Sequence, residues 1–323
     1  GQQQGRSLAW VHVFDAHAPY APPRPFDQQY ASDAYAGEVA YVDHALGPLL
    51  DLARRGPRPT TVIVTADHGE GRGDHGEATH GVFAYESTLR VPLIVAQVGP
   101  GATRASGVTR DVPVRHIDIV PTVADLTGIA VATDLPGRTL LAASDESEPR
   151  PAYFEAMTGT LTRGWAPLAG VLVGREKYVD LPIEELYDLD ADPREEQNRA
   201  GDSLDRLRAL AARLHGFEAP LPGDPGAETA EVRARLQSLG YLSGSTPRKA
   251  RYTEDDDPKR LIDVDRLMMQ GIDLHLAGRS REALEAYRPV VHRRHGHPRH
   301  GAHGREGARR GEHTQLEHPV VLV

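Results

Sequence analysis

The strongest constraint on this chain is the stretch from residue 61 to 95, TVIVTADHGEGRGDHGEATHGVFAYESTLRVPLIV. It opens on Thr61-Val62-Ile63-Val64, a run too short for a helix and patterned like a strand buried on both faces. A second apolar run begins at Val91. Between the two lies a polar, Gly-rich loop crowded with carboxylates and imidazoles. In open α/β sheets ligands sit beyond the carboxyl ends of the strands, which is where such a loop falls.

With 323 residues and 39% hydrophobic residues the chain can bury a real core and hold one large domain plus a smaller one. It contains no Cys, which excludes disulfides, thiolate metal sites and a cysteine nucleophile within these residues. The net charge is −9, and the main body is more acidic still because the tail is basic. No stripe of Lys and Arg with interleaved aromatics points to nucleic acid. No apolar run reaches the length of a membrane span, and the start, GQQQGRSLAW, is neither a signal peptide nor led by Met. The expectation is that an N-terminal part lies upstream.

Along the chain, residues 8–14 read as a strand that ends in Asp15-Ala16-His17-Ala18-Pro19-Tyr20. Ser32 or Asp33 caps a helix with apolar positions at Val39, Val42, Leu46, Leu49, Leu50 and Ala53. Strand, helix and the strand at residue 61 in this order predict a right-handed βαβ crossover in a mostly parallel sheet. Residues 118–128 fit a short helix stopped by Gly128. Residues 170–173 and 177–180 read as a hairpin turning at Gly174. Residues 203–214 form a helix, 219–226 a linker, and 261–277 with 281–290 two helices joined at Gly278-Arg279-Ser280.

Asp67 and His68 place a carboxylate and an imidazole side by side just past a strand, where both reach one cation; Asp-His-Gly also serves as a plain turn. Asp15-x-His17 at another strand end brings charged groups to the same rim. Asp15 reads as an orienter of His17 or of the loop. Glu70, Asp74, Glu77 and Glu86 read as solvated or loop-fixing, Arg90 as a partner for an acid, and His12 and His44 as packing or surface histidines.

Thr65-Ala66-Asp67-His68-Gly69-Glu70, then Gly73-Asp74-His75-Gly76, His80-Gly81, Tyr85-Glu86 and Arg90-Val91-Pro92-Leu93-Ile94, resembles the C-terminal half of the sulfatase family in the alkaline phosphatase superfamily. His17 in FDAHAPY, residues 117–122, Lys177-Tyr178, residues 185–189 and Asp192-Pro193 are similar to further signatures of that family. The resemblance covers roughly residues 8–215. It implies an α/β fold with a mostly parallel sheet flanked by helices, a small β-containing C-terminal subdomain and then a helical hairpin. It makes Asp67 and His68 ligands of a divalent metal, usually Ca2+, with Mn2+ or Zn2+ in relatives. His68 stands where many members have Asn, which departs from the hard-oxygen set of calcium. His17 and His80 become the catalytic candidates. A protonated His80 holds an anionic oxygen; a neutral one shuttles a proton or binds a second metal.

The family nucleophile is a formylglycine made from Cys or Ser in a Cys/Ser-x-Pro-x-Arg motif, and it is expected in the N-terminal part. Ser147-Glu148-Pro149-Arg150 and Ser245-Thr246-Pro247-Arg248 have the wrong spacing. By analogy with a serine protease, where losing the nucleophile costs roughly 10^6 in turnover, the 323 residues alone are expected to be inactive. The resemblance implies a sulfated small molecule or glycan as substrate and sulfate-monoester hydrolysis as the reaction of the parent protein. The rivals are a phosphodiesterase, phosphonate hydrolase or phospho-headgroup transferase of the same superfamily, and a non-catalytic binding protein working through its helices.

Gly271, Ala283 and Tyr287 are spaced as in a tetratricopeptide repeat, with an ordinary helical hairpin as the alternative, and the pair is a candidate protein-binding element. The expected organisation is 1–150 for the catalytic half, 151–218 for its subdomain, 219–258 for a linker with a short helix, 259–290 for the helical pair and 291–323 for a tail. That tail, rich in His and Arg, reads as disordered or frame-shifted. The sequence names no compartment; the resemblance favours the periplasm, the exterior or a membrane surface.

Overall fold

The computed structural model describes residues 7–102, 107–132, 134–141, 149–217 and 249–295. The linker at 219–226 and the tail beyond 295 lie outside the described residues. The chain divides into two compact units, Gly1–Thr65 with Pro92–Thr109, and Ala66–Val91 with Arg110–Val323.

The first unit holds helix α1 (Phe26–Gln29), helix α2 (Ala34–Arg55), and strands β1 (Thr60–Thr65) and β2 (Leu93–Val98). Asp33 caps α2 by accepting the Ala36 N–H at 3.1 Å, as its position before the apolar period predicts. The sheet corrects the sequence reading. β1 pairs with β2 and runs antiparallel to it, Ile63 opposite Val95. Residues 8–14 form no strand, and Leu8 and Trp10 are each 85% exposed. An apolar run becomes a strand only where a neighbour takes up its N–H and C=O groups, and among the described residues β1 finds its partner in β2. Among the described residues the parallel βαβ crossover is therefore absent, and β1 and β2 are half-buried rather than covered on both faces.

The second unit is built on a four-stranded antiparallel sheet, β3 (Pro151–Ala156), β4 (Leu168–Val173), β5 (Glu176–Asp180) and β6 (Glu185–Asp188), in that order, and also holds the short helices α3 (Glu86–Leu89) and α5 (Thr158–Arg163). β4 and β5 form the expected hairpin about Gly174. Alternation along the strands sends side chains to two separate cores. Val171, Tyr178 and Leu186 pack against Leu207, Leu210 and Leu214 of helix α6 (Leu204–His215). On the other face Phe154, Ala156, Val179 and Tyr187 pack against Val82, Phe83, Ala84 and Tyr85, which belong to the loop between β1 and β2.

That second core also carries two wholly buried charges. Lys177 Nζ on β5 lies 2.5 Å from Glu195 Oε1, with both side chains shielded from water. Glu195 also accepts the Glu86 N–H at 2.6 Å, so its carboxylate binds the loop to the sheet. Burial pushes the Glu195 carboxyl above its ordinary range, and the Lys177 ammonium opposes that.

Helix α4 (Ile119–Thr127) follows a 3-10 turn at His116–Asp118 and stops at Gly128, as expected. Buried Asp118 gathers the guanidinium groups of Arg150 and Arg115 and the N–H groups of Arg115 and Arg138. Burial raises its pKa, and these donors outweigh burial, leaving it below the usual carboxylate range.

Helices α7 (Pro258–Leu276) and α8 (Ser280–His295) form the C-terminal pair. Only glycine fits at 271, because a Cβ there would lie 2.4 Å from the Tyr287 ring. One helical pair is present among the described residues, and a repeat array is not shown. Replacing Lys177 with Met strands the Glu195 carboxylate in the core. The expected cost is about 3–5 kcal/mol, read as a lower urea midpoint, and a change inside half a kcal/mol would contradict this account.

Candidate functional site

The loop of residues 66–91 is held in shape mainly by its own backbone. Gly69 N–H donates to Thr88 O at 2.7 Å, Glu70 N–H to Ser87 O at 3.0 Å, and Gly71 N–H to Thr79 O at 2.6 Å. The strands of backbone approach so closely that a Cβ on Gly69 would sit 2.2 Å from Ser87 O. This is why Gly follows the Asp67-His68 pair: the close backbone approach leaves no room for a side chain.

Asp67 lies in a largely exposed position, and His68 is partly covered. The Asp67 Oδ1 accepts the His68 N–H at 3.0 Å. His68 Nδ1 is 2.8 Å from Gly69 O. A carbonyl only accepts, so Nδ1 carries the proton and Nε2 keeps its lone pair. That Nε2 is 3.7 Å from Asp67 Oδ2. Two donors each about 2.0–2.3 Å from a shared cation stand roughly 3–4 Å apart, so the pair fits one side of a coordination sphere. Among the described residues no group of three His, Asp or Glu completes a cluster. A six- to eight-oxygen calcium shell is therefore not assembled by them, and an imidazole donor suits Zn2+ or Mn2+ better.

His80 comes from the far side of the loop, and its ring centroid is 4.0 Å from that of His68, tilted by 35°. Its Nδ1 is 3.3 Å from Glu70 Oε1. Asp67, His68 and His80 are thus brought together in the second unit. His17 lies in the first unit, where its N–H donates to Glu38 Oε2 at 3.1 Å and its Nδ1 donates to Ala18 O at 2.7 Å. Glu38 Oε1 also accepts the Ala21 N–H at 2.6 Å. The buried carboxylate of Glu38 on α2 therefore shapes the His17 loop, a part the sequence reading gave to Asp15.

Sequence reasoning also missed His116, whose Nε2 donates to Ala66 O at 2.9 Å, one residue before Asp67. It precedes a recognised motif, but nothing local marked it. Glu77 is loop-fixing, as read, though buried rather than solvated. It accepts the N–H groups of Val82 at 2.7 Å and Phe83 at 3.2 Å. His75 stacks on Tyr85 with centroids 3.6 Å apart and donates from Nε2 to Glu195 O at 3.0 Å. A cavity of about 790 Å³ opens beside these residues, lined also by Arg72, Tyr187 and Lys259.

Burial pushes the Glu77 carboxyl up to about 8, against the pull of the Val82 and Phe83 amides. A carboxyl raised in this way keeps its proton in the folded state while the unfolded chain has lost it. Its contribution to stability is complete below the unfolded value near 4.5 and is lost as pH rises through about 8. Thermal unfolding across that window is expected to show wild-type stability falling by a few kcal/mol, with Glu77→Gln markedly flatter. Equal slopes for the two proteins would remove Glu77 as the cause.

The sulfatase family model matches residues 1–129. Choline-sulfatase of Rhizobium meliloti (strain 1021) is 33% identical over 177 residues, covering 52% of this chain and 32% of that protein. N-acetylglucosamine-6-O-sulfatase of Bacteroides thetaiotaomicron is 32% identical over 186 residues, covering 54% of this chain and 32% of that protein. The chain thus spans about a third of the length of these curated relatives. The crystal structure of Ps i-CgsB in complex with k-i-k-neocarrahexaose shares the fold, with a TM-score of 0.50, 18% identity, and coverage of 70% of this chain and 53% of that one. Residues 1–129 are thus similar to the sulfatase family.

Proposed function

We propose that the protein acts in the metal-dependent hydrolysis of sulfate monoesters, with this chain supplying one wall of the site. The observation that carries the reading is the joint placement of Asp67, His68 and His80 on one rigid loop, within a chain matched to sulfatases. Asp67 Oδ2 and His68 Nε2 would hold a divalent cation, Mn2+ or Zn2+ before Ca2+. Such an ion supplies Lewis-acid stabilisation of charge on the transferred group. The chain's own part is positional. Gly69 O fixes the His68 tautomer, the Glu70 and Gly71 amides hold the loop, and His80 presents a second imidazole against the first.

His17 is proposed to meet the ester group. Its Nδ1–H is engaged by Ala18 O. A sulfated small molecule or glycan is the substrate class that the named sulfatase relatives favour. Because the 323 residues contain no Cys, no formylglycine forms from cysteine within them. That observation keeps the phosphoester-cleaving relatives as the second reading, and sulfate and phosphate esters are to be assayed side by side.

Titration of the chain with Mn2+ and Zn2+ tests the site directly. Asp67→Ala and His68→Ala are each expected to weaken binding by roughly tenfold or more, while Asp74→Ala leaves it unchanged. The chain alone is expected to give no metal-dependent turnover of a sulfate ester. Metal affinity indifferent to both ligand substitutions, or turnover by this Cys-free chain, would overturn the proposal.

A further inference from the structure

His116 comes from a turn 50 residues beyond the site loop, yet it touches that loop at its first residue. Its Nε2 is 2.9 Å from Ala66 O. A carbonyl only accepts, so Nε2 bears the proton and donates. The C=O of Ala66 and the N–H of Asp67 share one planar peptide unit, so a bond that fixes the oxygen also fixes where the Asp67 Cα departs. The Asp67 carboxylate is then set by a second bond, since its Oδ1 accepts the His68 N–H at 3.0 Å. These two contacts leave Asp67 Oδ2 3.7 Å from His68 Nε2.

The donor stands on a fixed base. His116 opens the 3-10 turn His116–Asp118 that leads into α4, and the Asp118 side chain closing the turn is wholly shielded from water. Asp118 accepts the N–H groups of Arg115 at 3.0 Å and Arg138 at 2.9 Å, and the Arg150 guanidinium at 3.1 Å. Residue 137 packs so closely on the turn that a Cβ there would lie 1.9 Å from Ile117 O. A turn clamped in this way cannot shift without stripping donors from a buried carboxylate.

We propose that His116 is a positioning residue of the cation-binding pair: through Ala66 O it holds the Asp67 peptide plane, and with it the spacing of Asp67 Oδ2 and His68 Nε2. On the following side the Gly69 and Glu70 amides are bound to Thr88 O and Ser87 O, so the pair is held from before and behind. The role needs the hydrogen bond and no change of protonation. Its meaning for metal rests on the reading of Asp67 and His68 as ligands, whereas the hold on the peptide plane does not.

Mn2+ titration of the full chain and 1H–15N spectra of the metal-free chain test this together. His116→Leu keeps the bulk and removes the donor; it is expected to weaken Mn2+ binding about tenfold and to displace the Asp67 amide signal. His116→Gln puts an amide N–H at similar reach and is expected to recover most of the affinity and the wild-type signal, which a residue that merely fills space would not do. His116→Asn is polar but too short to reach Ala66 O, and it replaces the leucine variant should that one not fold. Asp67→Ala identifies the amide signal by its loss and is the reference for the ligand reading. If Asp67→Ala weakens binding and the folded donorless variant does not, the ligand reading stands and His116 is rejected. If Asp67→Ala leaves the affinity unchanged, the ligand reading fails and the metal-free spectra decide on His116 alone: an Asp67 signal unmoved by loss of the donor overturns the hold. Equal losses in the donorless and glutamine variants overturn it as well.

Discussion

The buried contact between Lys177 and Glu195 is the interaction on which the site loop depends. An ammonium and a carboxylate removed from water are tolerated only when close together and further hydrogen-bonded; here the two lie 2.5 Å apart and the carboxylate accepts a further donor. Glu195 takes the Glu86 N–H with its second oxygen, its backbone carbonyl takes the His75 imidazole, and Lys177 stands 5.8 Å from the centre of the Tyr85 ring. Three points of the loop are thereby fixed to the small sheet, which itself is backed by α6. Tyr85 and Tyr187 add two hydroxyls converging on Glu185 at 3.0 Å each. Such a network specifies one loop geometry, because any slip leaves a buried polar group without its partner.

That rigidity explains how a loop rich in glycine can hold one shape. The segment from Gly69 to Gly73 has few side chains to pack, so its order comes from backbone hydrogen bonds across to residues 77–79 and 87–88. Glu77 turns its carboxyl inward onto the amides after Gly81, and the buried run Val82 to Tyr85 anchors the exit. His68 and His80 are thus presented from two limbs of one closed structure. Imidazole rings placed within stacking distance keep their relative geometry without a ligand, which lowers the ordering cost when one binds.

What the sequence revealed was local, and what it hid was long-range. The helix ending at Gly128, the hairpin about Gly174, the cap at Asp33 and the C-terminal helical pair each follow from residues within a few positions of one another. Sheet direction does not. The run at residues 61–64 is equally apolar beside a parallel or an antiparallel partner, and its pairing with β2, across a 27-residue excursion, has no signature in either strand. The same holds for the site. Asp67, His68 and His80 lie within fourteen positions of one another on one loop, but Glu38, His116 and Glu195 act across 21, 50 and 109 residues respectively. Their roles come from the fold alone.

The C-terminal helices show the same rule from the other side. They read as an appendage after a linker, yet α7 begins with buried groups spent on the second unit. Asp257 caps α7 through the Lys259 N–H while its other oxygen accepts the Ile183 N–H, and Asp256 O accepts the Ala166 N–H. Further along, Asp265 forms an ion pair with Arg163, and Val264 enters the core that holds Tyr85 and Tyr187. Lys259 then reaches Ile183 O and lies 3.4 Å from the Glu185 carboxylate on which both tyrosines converge. A tethered module would not invest buried carboxylates in its own attachment, since each would lose its partners on release. The first helix of the pair therefore belongs to the same folded unit as the site loop, and Val290 of α8 packs against the same core.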